Sequence, residues 1–135
     1  MKASTYLFFD GTCEEAFAFY RRVLGGELFL MRRRDAPDQA GLTPGFEDRI
    51  MHASLTAGDM MLMGSDGDPA RPQSLGGFAV HLEVASTAEA KRLFAALGEG
   101  GTIKMPLGET FWSHAFGMVA DRFGVTWMVD HGKPM

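Results

Sequence analysis

Apolar and polar positions recur along this chain in a pattern that occurs twice. Ala16, Phe19, Tyr20 and Val23 fall at i, i+3, i+4 and i+7, which is one apolar face of an amphipathic helix. Ala90, Leu93, Phe94 and Leu97 repeat the spacing. Thr12 and Ser86 precede the two stripes, each with a glutamate three residues on, Glu15 and Glu89. That is the capping-box arrangement, in which the hydroxyl accepts from an orphan amide. Gly25 and Gly98 follow and predict left-handed turns at the helix ends. Beyond each helix the chain continues in parallel through Gly26, Phe29 and Met31, and through Gly100, Ile103 and Met105.

A second match comes at a shorter offset. EDRIMHA, ending at Ala53, resembles ETFWSHA, ending at Ala115, and pairs His52 with His114. The first copy therefore carries a longer connection, 34–46, whose Pro37, Gly41, Pro44 and Gly45 predict a loop. Each copy reads strand, helix, strand, strand, strand. The strands are expected near 4–9, 27–33, 49–57 and 60–64, then near 78–84, 101–106, 111–120 and 125–130. The joining segment, 65–77, holds Pro69, Pro72 and a glycine pair, and predicts a linker. The fold class is α+β: one domain, 1–135, made of two βαβββ modules, about 1–64 and 78–135.

Alternation within the strands assigns faces. Val80, Leu82 and Val84 suit a helix-covered face, while Ala79, His81 and Glu83 make the other. Burying that mixed set in an ordinary core is costly. Val125, Trp127 and Val129 separate likewise from Thr126, Met128 and Asp130. Pairing the uncovered faces predicts one cupped mixed sheet around a cavity.

Composition narrows the classes. The chain has 135 residues, 46% hydrophobic and 22% charged, with a net charge of -4, which suits a globular domain and not disorder. One cysteine excludes an internal disulfide framework and makes a reducing cytoplasm the expected compartment. Spread acidity gives no footprint for nucleic acid. No run reaches the ~20 apolar residues of a membrane span, and the apolar part of MKASTYLFFDG is too short for a secretory signal.

With these elements in place, the segments YLFFDGTCEEAFAFYRRVLGGEL, MHASLTAGDMMLMGSD and GETFWSHAFGMVADRFGVTWMVD resemble the vicinal oxygen chelate superfamily. This is the glyoxalase/bleomycin-resistance/extradiol-dioxygenase fold, and the likeness is to its PhnB-like branch. The resemblance implies paired βαβββ modules, a small-molecule cavity in the cupped sheet, and a homodimer. It also implies metal-ligand positions on the first and last strands of each module, which fall near Thr5, Leu62, Ala79 and Met128. None is His, Asp or Glu, and a thioether or hydroxyl is a poor partner for a hard divalent ion. The expectation is a cavity without the superfamily's metal and with no other cofactor. The run of methionines, Met60, Met61 and Met63 with Met128, would supply adaptable apolar contacts instead.

The candidate cavity residues are His52, His81, Glu83, Trp112, His114, Phe116, Leu62 and Met128. His52 shares a face with Ser54 and Thr56, and His52 and His114 could orient a ligand or move a proton near neutral pH. The plainer alternative makes them strand residues bonded to the backbone. Trp112 and Phe116 share strand parity with His114 and offer aromatic surface, whereas parity assigns Trp127 to the core. Cys13 opens a helix, where the dipole could lower a thiol pKa, with a small tolerated residue as the alternative. Arg32, Arg33 and Arg34 read as a solvated loop entrance. His81 and Glu83, two apart on one strand face, could join Asp130 as a non-standard divalent-metal set.

The leading expectation is binding of a small, partly apolar organic molecule. The alternative is a metal-dependent lyase, isomerase or dioxygenase using His81, Glu83 and Asp130. A third reading is an interaction module whose dimer surface is its function. Nothing in the chain resembles a site for S-adenosylmethionine, so methyl transfer is not supported.

Overall fold

A computed structural model describes residues 1–37, 43–70 and 74–134. The chain divides into two compact units, Met1–Leu75 and Gly76–Met135. In the first, β1 (Thr5–Phe9), α1 (Cys13–Leu24), β2 (Glu27–Arg32), β3 (Ile50–Ala57) and β4 (Met60–Asp66) follow in order, with a one-turn 3-10 helix at Arg33–Asp35. In the second, β5 (Val80–Glu83), α2 (Thr87–Leu97), β6 (Thr102–Gly108), β7 (Ser113–Ala120) and β8 (Thr126–Gly132) repeat the order. The sheets are β1-β4-β3-β2 and β5-β8-β7-β6. The first and last strands of each unit run parallel and the remaining pairs antiparallel. The expected α+β class and strand–helix–strand–strand–strand order are both present.

Each helix covers one face of its own sheet. On α1, Ala16, Phe17, Phe19, Tyr20 and Val23 are buried, and they meet the row Leu7, Gly64, Ala53 and Leu30 and its neighbour Thr5, Leu62, Leu55 and Leu28. In the second unit α2 lies over Trp127, Val129 and Val119, all fully buried. Two glycines let the helices approach. A Cβ on Gly64 would lie 2.7 Å from the Phe17 ring and 2.8 Å from the Leu7 carbonyl oxygen, and one on Gly117 would lie 2.6 Å from the Phe94 ring. Only a residue without a side chain fits there.

The helix ends depart from expectation. Ser86 Oγ accepts from the Glu89 amide at 3.1 Å, as the capping pattern predicts. Thr12 makes no such bond. Asp66, at the end of β4, takes its place: Oδ1 accepts from the Gly11 and Cys13 amides at 2.8 and 3.0 Å, and Oδ2 from the Ile50 amide at 3.0 Å. A buried carboxylate thus ties β3, β4 and the start of α1 together, and it suits the positive end of the helix dipole. Gly25 has the expected left-handed φ of 78°. Gly98 does not, with φ -78°, because α2 tightens by one more turn before the left-handed residue arrives at Gly100.

The DRFGVTWM segment is a structural turn between β7 and β8. Asp121, nearly fully buried, accepts from the Phe123 and Val125 amides at 2.9 and 3.0 Å, and from Trp127 Nε1 at 2.9 Å. Trp127 is core, as its parity predicts.

Candidate functional site: the uncovered sheet faces

The faces away from the helices carry the candidate chemistry. In the second unit the strand register puts His81, Met128, Met118 and Met105 in one row across all four strands. The next row holds Glu83, Asp130, Phe116 and Gly108. Asp130 is the hub. Its Oδ2 meets His81 Nε2 at 2.9 Å, and its Oδ1 accepts from the Ser113 hydroxyl at 2.6 Å. Ser113 is fully buried, and its oxygen also accepts from the Ala115 amide. Burial pushes the Asp130 carboxyl up. The hydrogen bonds from Ser113 and His81, with the nearby His81 and His131 rings, outweigh that and hold it below the usual carboxylate range. Glu83 lies beside Asp130 in register and is exposed.

Trp112 and Phe116 come together, ring centroids 5.4 Å apart, with Phe111 edge-on to Trp112 at 4.8 Å. His114 does not join them. The β7–β8 register shifts between Ser113 and Ala115, and such a bulge breaks the alternation on which shared parity rests. The His114 ring instead lies 4.8 Å from the ring of His131, whose Nδ1 is 3.1 Å from the Thr87 hydroxyl at the start of α2. In strand register Ser54 and Met118 each pair with a methionine of the neighbouring strand, Met63 and Met128, and His52 and Phe116 each stand two residues before them.

In the first unit the uncovered row is Tyr6, Met63, Ser54 and Phe29. His52 lies on the same face, its Nδ1 3.2 Å from the Tyr6 hydroxyl, and the Tyr6 ring packs on Phe8 at 5.0 Å. Leu62 is not on this face. It pairs with Thr5 and Leu55 beneath α1 and is fully buried, while its neighbours Met61 and Met63 face away. A one-residue displacement moves a strand side chain to the opposite face, so Met61 and Met63, not Leu62, hold the outward positions on β4.

The other candidates are structural. Cys13 is fully buried. Burial, with Asp66 and Glu14 adding to it, pushes its thiol far above the range of a nucleophile. Arg32 pairs with Glu14 at 2.6 Å, Arg34 with Asp48, and Arg33 donates to the Asp66 carbonyl at 3.0 Å. A cleft of about 150 Å³ lies between Arg33, Thr43, Phe46, Asp68 and Pro69, and Arg33 is the one candidate that lines it.

Of the residues expected at the superfamily's metal positions, Thr5 and Leu62 lie on the helix-covered face. Their outward-facing neighbours Tyr6, Met61 and Met63, with Met128, offer a phenol and thioethers, which are poor partners for a hard divalent ion. Among the described residues no three His, Cys, Asp or Glu side chains gather as a metal site requires. His81 and Asp130 do meet.

Residues 2–129 of the chain match the family described as the Glyoxalase/Bleomycin resistance protein/Dioxygenase superfamily. The chain belongs to that superfamily. It is 40% identical to protein YjdN of Escherichia coli, across 96% of this chain and 95% of that one. Its fold superposes on protein PA1353 of Pseudomonas aeruginosa with a TM-score of 0.90, at 47% identity and 97% coverage of both chains. A PhnB protein of Bacillus cereus matches with a TM-score of 0.75 and 26% identity, covering 97% of this chain and 99% of that one. Among the described residues no helix is long and apolar enough to cross a membrane.

Sequence reasoning missed Ser113, Met118, Met105 and the Tyr6–Phe8–Phe29 surface. TYLFF is apolar on both faces, so alternation cannot sort it. Met118 and Met105 become a row only through strand pairing.

Proposed function

We propose that this protein binds a small, partly apolar organic molecule on the uncovered face of its second sheet, with no metal at the superfamily's usual positions. One observation carries the reading: His81, fixed by Asp130, stands at the end of a row of three thioethers, Met128, Met118 and Met105. A polar group beside adaptable apolar surface orients a ligand and tolerates its shape. Trp112, half-buried and packed on the buried Phe116, extends that surface. The first sheet's aromatic face, with Phe29 52% exposed, offers a similar surface.

A thermal-shift screen of flat organic compounds tests the reading, with and without chelator. A stabilising compound whose effect survives chelation supports it. The second reading, a metal-dependent enzyme of the superfamily at His81, Glu83 and Asp130, is favoured by the His81–Asp130 contact alone. It requires that chelation lower stability and that added divalent metal restore it. A homodimer in the cytoplasm belongs to the same proposal, and the exposed Phe111 and Ile103 support association.

A further inference from the structure

Ser113, Asp130 and His81 form a chain of hydrogen bonds, in which the serine hydroxyl makes its shortest contact to Asp130 Oδ1 at 2.6 Å, ahead of the Ala115 and His131 carbonyls at 2.9 and 3.0 Å. An ionised carboxylate only accepts, and Asp130 is held in that form by its two donors. Its contact at 2.9 Å with His81 Nε2 therefore requires the proton to sit on Nε2. In the neutral ring Nδ1 is then a bare acceptor. Among the described residues Nδ1 has no hydrogen-bond partner, and the His81 side chain is 45% exposed. The charged groups beside it in register are Asp130 and Glu83, with His131 behind Asp130 on β8, and Lys104 lies beyond Met128 on the same face, donating to the Thr126 hydroxyl. Two carboxylates beside the acceptor disfavour an anionic ligand and leave a neutral donor as the matching group. Met128 and Met118 continue the row from His81. Thioether sulfur contacts aromatic rings favourably.

Resting on the reading that this face holds the ligand, we propose that His81 Nδ1 is the acceptor for an aromatic hydroxyl, a phenol or a hydroxyl-bearing heteroaromatic, whose ring lies on the thioethers of Met128 and Met118. Asp130 and Ser113 act as positioning residues that fix the tautomer.

The test uses para-cresol and its methyl ether, which share a ring but differ in the O–H. The expected result is roughly tenfold tighter binding of the cresol, the worth of one net hydrogen bond. Nitrogen-15 NMR should find His81 protonated at Nε2, with the Nδ1 resonance moving on addition of cresol and not of ether. In Asp130→Asn the amide oxygen keeps the Ser113 hydroxyl and the amide NH₂ faces Nε2. The ring then takes the other tautomer and the preference for cresol disappears. His81→Phe should lose the preference while still binding the ether. Equal binding of both probes by the wild type, a preference that persists in His81→Phe, or a wild-type ring protonated at Nδ1 would each overturn the proposal and leave the open-face reading standing. Binding of neither probe, nor of any flat hydrocarbon, overturns both.

Discussion

Asp121 shows how one side chain can determine a loop. It satisfies two turn amides and the Trp127 indole, so Asp121→Ala strands three donors in a buried site. A stability loss of about 3 kcal/mol is expected from urea titration. Cys13 should resist modification by a thiol reagent in the folded protein and react only on unfolding, because its thiol is buried and pushed up. Asp130 gives a pH signature. Its folded pKa is depressed, so the stability it contributes is present above the unfolded value of about 3.9. That stability is lost as pH falls through the depressed value. Asp130→Asn should flatten that acidic part of the stability curve, read by urea titration across the acidic range.

At the scale of elements, the two helices begin alike in sequence and differently in space. Ser86 caps α2 with its own hydroxyl, and Ser86→Ala should cost about 1 kcal/mol. Thr12→Ala should cost much less, because Asp66 holds the start of α1 from another strand. A comparison of the two variants by thermal melting separates local capping from tertiary capping. Gly117→Ala sets a methyl against Phe94 and the Leu107 backbone. It should destabilise by roughly 1–3 kcal/mol as the α2–sheet contact opens. The β7 bulge belongs to this scale too. It sends His114 to His131 and leaves Ser113 on the side of Asp130, a division that strand parity alone cannot deliver.

For the molecule as a whole, binding is a matter of linkage. A ligand at a hundredfold excess over its Kd stabilises the folded state by about 2.7 kcal/mol, a Tm rise on the order of 8 °C for a chain of this size. Chelation should leave that rise intact. Sedimentation should report about twice the chain's 14.7 kDa if the proposed homodimer forms, and a monomer mass would remove that part of the proposal. Superfamily membership fixes the fold and leaves the ligand to be argued from the face itself.

The sequence by itself determined the doubled βαβββ order, the helix faces and the burial of Trp127, because hydrophobic periodicity is written locally along the chain. It also marked His81, Glu83 and Met128 as residues facing away from a helix, since apolar and polar positions alternate cleanly there. Tertiary structure decided the rest. Whether Leu62 or Met63 faces outward depends on register, and TYLFF and MMLM are apolar on both faces. Whether His114 stands with Phe116 or with His131 depends on a bulge that only strand pairing creates. That Asp66 caps α1, and that Ser113 reaches Asp130, depends on residues far apart in sequence meeting at strand ends. No local pattern encodes such meetings.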